Sequence, residues 1–380
     1  MDGDSICAHS VSGSISQDWH VIRARDAIAQ LEQQWRQLET RWEGGTPFQS
    51  FAWCNQWLRY RGRGYTPFIL TNEDLNLIAP FAMTTMAGSR VLRLIGTGDS
   101  DYLGLITSMP PQDAWRTVVA ELCERRSEWE LLHLHSIRQK EEVLAALRQQ
   151  EGITVMQRDY ETCPNLPIRE TWDAYLHRRK KVKHEARRWA KRVQEFGVIT
   201  VDAIALPASF ELVREMIDVE RESWKWELGS AALKPGEQAD FVCALLQDPR
   251  APAKVWCLRA NTRLAAFAVV LEDRAGWYYY LPSFRRSCPN AGAHLLACIV
   301  EEAFKQGRKF MDLLQGAHEY KLLWTEDSAG VAEILAAHSL GGRIMLQGYS
   351  ARWRASRSAV VRRLWNIVRQ VGDRRRAVRS

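Results

Sequence analysis

Residues 310–324, FMDLLQGAHEYKLLW, crowd Asp312, His318, Tyr320 and Lys321 around the exit of one apolar run. The run breaks at Gly316, which marks a buried strand opening into a polar corner. A carboxylate within a strand is costly to bury unpaired. Three roles therefore stand for Asp312: deprotonating an acceptor, hydrogen-bonding a sugar hydroxyl, or pairing with Lys321. His318 could take up a proton near neutral pH, or simply face solvent from a loop. Either the corner is a solvated turn, or it is half of an active site.

Chemistry is also available upstream. The loop RRSCPNAG follows the strand AGWYYYLPSF and leads into a helix expected to start near Ala293. First-turn amides of a helix lack internal partners and sit at the positive end of its dipole, so Asn290, Gly292 and Ala293 could hold a phosphate or pyrophosphate. Gly292 would let the backbone approach that anion closely. The same pattern also suits an ordinary strand-to-helix turn. In the first half of the chain, GTGDSDYLG offers Asp99, Asp101 and Tyr102 after a strand. Its glycines could cradle a phosphate, but the two acids would repel one. Asp101 instead suits acceptor hydroxyls if both halves share a cleft, or belongs to a plain turn.

The elements that must position these residues alternate along the chain. Ile28, Leu31, Trp35, Leu38 and Trp42 recur at helical spacing, and FQSFAWCNQWLRYR starts a second helix capped by Ser50. PFILTNEDLNLIAPFAMTT reads as a hairpin around Asn72-Glu73-Asp74, followed by a strand, a Gly/Asp loop and another strand. Helices near 111–127 and 139–150 flank the strand WELLHLHSI and complete an α/β half. YETCPNLPIRET, with two prolines and no periodicity, is the expected boundary. Beyond it a single amphipathic helix is expected over 172–196, with Val182, Ala186, Trp189, Val193 and Phe196 on one face. Its other face carries nine Lys/Arg between 178 and 192 against one acid, Glu185. A helix over about 207–226 and the hairpin VWCLRANTRLAAFAVVLED then echo the first half, with TRLAAFAVVLE in the place of LNLIAPFAMTT. The expected divisions are a disordered 1–18, halves at 19–160 and 161–350, and a tail at 351–380.

Bulk properties exclude several classes. The 380 residues are 46% hydrophobic and 26% charged, as in an ordinary globular protein. No apolar run approaches the ~18–20 residues of a membrane span, and the acidic, polar N-terminus is not a secretory signal. Eight scattered cysteines make no zinc pattern, so no metal is expected, and they read as reduced thiols of a cytoplasmic protein. The net charge of +7 is concentrated: Arg352 to Ser380 holds ten Arg and one acid, leaving −2 on the rest. A near-neutral body argues against a nucleic-acid footprint. The tail AVVRRLWNIVRQVGDRRRAVRS reads as a basic amphipathic helix suited to an anionic membrane surface or an acidic partner, or as a solvated extension.

The run AGAHLLACIVEEAFKQGRKFMDLLQGAHEYKLLW resembles the final segment of the bacterial acyltransferase branch of the GNAT superfamily. That branch includes the CelD-like proteins linked to cellulose and exopolysaccharide clusters, and is related to the FemABX aminoacyl transferases. The matching positions are Gly292, Leu295, Leu296, Asp312, Gly316, Tyr320 and Lys321. ERESWKWELG, with Glu220, Ser223, Trp224 and Lys225, is similar to the family's Glu-x-x-Ser-Trp-Lys helix end. The basic helix, SFAWCNQW and GTGDSDYLGL also fit, so the resemblance covers about 26–330. One departure is Asn290-Ala291-Gly292 where relatives commonly carry Ser-Pro-Gly.

The resemblance implies an α/β fold of two tandem GNAT-like halves, each a mixed, mostly antiparallel sheet flanked by helices. It implies acyl-CoA as a co-substrate, no permanently bound cofactor, and transfer to an amine or hydroxyl of a glycan or other small acceptor. Two parallel strands, WYYYLPSF and KFMDLLQG, would splay around the pantetheine arm. Backbone N–H groups near Pro282, Ser283 and Phe284 would polarise the thioester carbonyl. Tyr320 would protonate the departing thiolate, or else pack or bind the acceptor. Glu220 stands as a general base or a surface acid, and Trp224 as a sugar-stacking or core residue beside Lys225 in the acceptor groove. Polysaccharide or cell-envelope glycan synthesis, at the inner membrane face if the tail docks there, is the implied setting. A tRNA-dependent aminoacyl transferase and a non-catalytic interaction module are the alternatives.

Overall fold

Continuous apolar runs make the central strands, which are buried on both faces, and amphipathic helices cover them from both sides. The computed structural model describes residues 19–42 and 44–357. The first half comprises β1 (Trp19–Ile22), α1 (Glu32–Arg41), α2 (Phe51–Tyr60), β2 (Thr66–Asn72), β3 (Leu77–Met86) and β4 (Ser89–Leu94). It continues with β5 (Ile106–Thr107), α3 (Pro111–Glu124), β6 (Leu131–Ile137) and α4 (Lys140–Arg148). After β7 (Thr154–Pro167) come α5 (Trp172–Arg178), α6 (Lys180–Gln194), β8 (Ile199–Ala205), α7 (Phe210–Arg221) and α8 (Trp224–Glu227). Next are α9 (Glu237–Gln247), β9 (Ala253–Ala260), β10 (Arg263–Glu272), β11 (Gly276–Phe284) and α10 (Ala291–Lys305). The chain closes with β12 (Phe310–Asp312), α11 (Glu319–Leu322), β13 (Ser328–Ala337) and α12 (Leu340–Arg357).

Among the described residues all strands join one mixed, mostly antiparallel sheet, ordered β1-β2-β3-β4-β6-β13-β7-β12-β11-β10-β9-β8, with β5 on β3. The two halves share a plan. In each, a hairpin leads to a strand, a helix (α3 or α10), and a strand parallel to the previous one: β6 beside β4, and β12 beside β11. The correspondence expected between LNLIAPFAMTT and TRLAAFAVVLE is that of β3 with β10. One core runs unbroken under both halves, joining Trp35, Trp53 and Trp57 of the first to Met216, Phe241 and Phe267 of the second. The opposite face is covered separately, by α3 and α4 in one half and by α6 and α10 in the other.

Three local expectations are corrected. The segment around 160–170 is not an irregular junction but holds the last part of β7, which pairs with β13 through Pro164 and with β12 at Asn165–Pro167. Its prolines sit near the end of the strand, where β7 passes from one partner to the other. The helix over 172–196 breaks at Arg179 (φ −100°, ψ 66°) into α5 and α6. Phe196 lies past its end and is exposed, not on the buried face. The helix after the Gly loop starts at Ala291, not Ala293. Ser50 does cap α2, its side chain accepting from Trp53 N at 3.2 Å. The 1–18 segment and most of the 351–380 tail lie outside the described residues. Among those described, no helix is long and apolar enough to cross a membrane.

Candidate active site

β11 and β12 pair in parallel over three positions only, Gly276–Tyr278 with Phe310–Asp312. A bulge at Tyr280 then shifts the register of β11 against β10, and bulges bend and twist the strand that carries them. Beyond Asp312 the chain leaves the sheet through Leu314 (φ 62°) and Gly316 (φ 95°). A wedge therefore opens between Tyr279–Phe284 and Leu313–Gly316. The second strand is shorter than KFMDLLQG suggests: past Asp312 it no longer pairs with β11, although Leu313 N and Gly316 N still donate to Pro164 O and Thr162 O of β7 at 2.9 and 3.0 Å.

Asp312 closes the base of the wedge and is 1% exposed. Its Oδ2 accepts from Tyr102 Oη at 2.8 Å and Asn165 Nδ2 at 3.1 Å, and its Oδ1 from Leu314 N at 2.7 Å. Burial pushes its pKa up, and these donors oppose the shift. The pairing considered with Lys321 is not made. Lys321 Nζ donates to the carbonyls of Leu314 (3.1 Å) and Gln315 (2.6 Å), fixing the strained exit of β12. Burial lowers the Lys321 pKa, and Asp101 is the strongest charge opposing that.

The first half supplies the rest. β4 and β6 pair only at Val91–Leu131 and Leu92–Leu132, and beyond them Leu103 takes the vacated place by bridging Ile137. The loop holding GTGDSDYLG thus plugs the wedge of its own half. Asp99 accepts from Trp57 Nε1 at 2.8 Å and pairs with Arg61, so it is a structural group. Tyr102 is buried, with its hydroxyl on Asp312, and so carries no free group for an acceptor. Asp101 stays partly exposed at the shared cleft. Gln315 Nε2 ties its loop down by donating to Asp101 O (2.7 Å) and Ser136 Oγ (3.0 Å).

Tyr320 and His318 stack with ring centroids 6.0 Å apart on α11 and its cap. Tyr320 is 47% exposed, burial of the remainder pushes its phenol up to about 12, and it lies within electrostatic reach of Tyr279 on β11. On the opposite face of β11, Tyr280 feels Asp101.

The remaining expected residues divide. Pro282 has no N–H to polarise a carbonyl, and its own carbonyl accepts from Lys225 Nζ. Ser283 is buried with no partner for its Oγ among the described residues, and Phe284 ends the strand. At the mouth, Asn290 (φ 68°) precedes α10, and the N–H groups of Gly292 and Ala293 have no backbone acceptor. Gly292 has a packing reason as well: a Cβ there would lie 2.7 Å from the Phe284 ring. Glu220 is not a surface acid. It is 0% exposed, and its Oε2 accepts from Leu233 N at 2.7 Å, so solvent and acceptor do not reach it. Trp224 is exposed rather than core. Asn165, Gln315 and Ser136 were not anticipated. Only Gln315, a polar residue in the apolar run LLQG, gave a signal in the sequence.

Residues 178–322 match the model of the acetyltransferase (GNAT) domain family. No curated protein matches the chain. Among solved structures, FemX is similar with a TM-score of 0.60 at 9% identity, covering 87% of this chain and 99% of its own. A conserved protein of unknown function from Bacteroides thetaiotaomicron gives 0.56 at 10% identity, covering 84% and 99%. The C-terminal domain (DUF2156) of a lysylphosphatidylglycerol synthetase-like protein from Agrobacterium fabrum gives 0.55 at 12%, covering 85% and 96%. At these identities the likeness is one of fold.

Proposed function

We propose that this chain transfers an acyl group from acyl-CoA to an amine or hydroxyl acceptor in the wedge between β11 and the exit of β12. The observation that carries this reading is the divergence of two parallel strands after three paired positions, with an unsatisfied helix N-terminus at the open end. A pantetheine arm fits as a third, extended chain along the free edge of β11, and the pyrophosphate of CoA fits the amides of Gly292 and Ala293. Tyr320 keeps its proton at neutral pH, as a donor to the leaving thiolate must. The acceptor meets the thioester from the Asp101 side. Its identity as a glycan of polysaccharide or envelope synthesis, and a place at the inner membrane face, rest on the CelD-like resemblance alone.

One observation favours a second reading, an aminoacyl transferase using charged tRNA. A cavity of about 640 Å³ at the α5–α6 break is lined by Arg178, Arg179, Lys180 and Lys181 together with Glu319 and Leu322 of α11. Lys183, Arg187 and Lys191 continue the basic row along α6.

Calorimetry with acetyl-CoA and longer acyl-CoAs decides between them. Ala293→Asp places an acid where the helix dipole favours it, so the fold is kept while the CoA phosphates are repelled. Saturable binding that weakens at least tenfold in this variant is the expected result. No binding by any acyl-CoA would refute the proposal and leave the tRNA reading.

A further inference from the structure

The strand pair β11–β12 has a second end. Its wedge opens beyond Asp312, whereas the pairing begins at Gly276 and Phe310, and there a cavity of about 640 Å³ lies between the two halves. The first half contributes the end of α1, Pro47 and Arg138, which follows β6 directly. The second contributes the β10–β11 turn, Lys309 and Phe310. A cavity of that size suits a small organic molecule rather than a bare ion.

The acids that line it are already occupied. Asp273 Oδ1 accepts from the amides of Ala275 and Gly276, both at 2.7 Å, and its Oδ2 from Tyr278 Oη at 2.6 Å. Glu272 pairs with Lys254 at 3.1 Å and with Arg308 at 3.6 Å. Glu39 accepts from Phe51 N, and burial pushes its pKa up. The cations are not occupied in this way. Arg41, Arg138, Arg274 and Lys309 line the cavity and make no ion pair among the described residues. Arg138 donates to Gly44 O at 2.7 Å and Arg274 to Thr40 O, which leaves most N–H groups of both guanidinium ions without an acceptor among those residues. Between the cations lies an apolar floor. Tyr278 turns its hydroxyl to Asp273 and its ring to Phe310, with centroids 5.5 Å apart, and Pro47 and Pro252 extend the surface.

We infer that this cavity binds an organic anion, a carboxylate or phosphate carried on an apolar body, with Arg138, Arg274 and Lys309 around the charge and the floor of Tyr278 and Phe310 beneath the body. A guanidinium with unused donors suits the paired oxygens of such a group, and aromatic surface suits the rest. Arg138 belongs to the first half, Arg274 and Lys309 to the second. A ligand held by all three therefore bridges the halves and stabilises the folded chain by mass action. The inference stands apart from the acyl-transfer reading and uses none of the residues assigned to the wedge.

Calorimetry on the whole protein compares phenylacetate and phenyl phosphate with benzyl alcohol and inorganic phosphate. At least one aryl anion should bind with a dissociation constant of about 1 mM or tighter. It should bind at least tenfold more tightly than the neutral alcohol and than inorganic phosphate, and the tighter of the two identifies the oxyanion. Arg138→Gln should weaken that binding at least tenfold, and Lys309→Gln roughly threefold or more. Both side chains are exposed, and circular dichroism checks that each variant is folded. The ligand should raise the thermal unfolding midpoint of the wild type and not that of Arg138→Gln. Ala293→Asp, at the mouth of the wedge, should leave the binding unchanged. Binding of neither anion, equal binding of the alcohol, affinity that survives both cavity substitutions, or its loss in Ala293→Asp would overturn the inference.

Discussion

Tyr102→Phe removes a single oxygen from the contact that joins the halves most directly. Tyr102 Oη donates to Asp312 Oδ2 at 2.8 Å across 210 positions of sequence, and both side chains are about 1% exposed. Water cannot replace the lost donor at that depth. Hydrogen bonds to charged groups contribute about 1.5–3 kcal/mol. Asn165 and the Leu314 amide still serve the carboxylate, so the expected loss is about 2 kcal/mol rather than the full cost of an orphaned charge. The sign of the pH effect follows from the direction of the shift. Asp312 titrates above its unfolded value, so the folded state holds the proton more tightly and stability falls as pH rises through that window. Losing a donor that favours the charged form widens the window. The penalty should therefore be largest at high pH, where the carboxylate is charged, and shrink as pH falls through that window and the bond becomes one between neutral groups. Urea unfolding followed by tryptophan fluorescence across a pH series from 8 downward measures it. Asp312→Asn and the double variant should show about 1–2 kcal/mol of coupling. A penalty below ~0.5 kcal/mol at pH 8, or one that does not change anywhere across the series, would refute the reasoning.

Asp101→Asn should stabilise the protein. The wild-type carboxylate titrates near 6 instead of 3.8, a cost present above pH 6 and gone below pH 4. Allowing for its partial exposure, the gain at pH 8 is about 1–2 kcal/mol, read from the shift in urea midpoint. Ser50→Ala should cost about 1 kcal/mol through the lost cap of α2, measured in the same way. Gly292→Ala forces the Phe284 ring away from a Cβ placed 2.7 Å from it. About 1 kcal/mol of destabilisation and weaker acyl-CoA binding are expected, with thermal unfolding and calorimetry as the checks.

Sequence pattern revealed the strands, helices and their order because period reports which face of an element is buried. It also gathered Asp312, Tyr320 and Lys321 at one corner, since they are near neighbours in the chain. It could not reveal partners. The donors to Asp312 come from Tyr102 and Asn165, 210 and 147 positions away, and nothing local marks them. Asp312 and Lys321 looked like an ion pair because opposite charges nine residues apart suit a turn. The chain instead reverses so tightly at Leu314 that the lysine serves the turn's own carbonyls. Glu220 looked like a surface acid on an exposed helix end. The loop at 232–233 folds over it, a long-range event that helical periodicity does not encode.

The pairing of β13 with both β6 and β7 has a consequence in time. The first half's sheet stays open between those strands until residues 328–337 arrive, some 160 residues after β7 is made. At ~5–20 residues per second, a ribosome needs roughly 10–30 s to supply the missing strand. For that interval the nascent first half exposes two unpaired edges, and holding them apart is a task for chaperones rather than for the half itself. A nascent chain arrested before residue 328 should remain protease-sensitive across 131–167, and become resistant once β13 clears the exit tunnel.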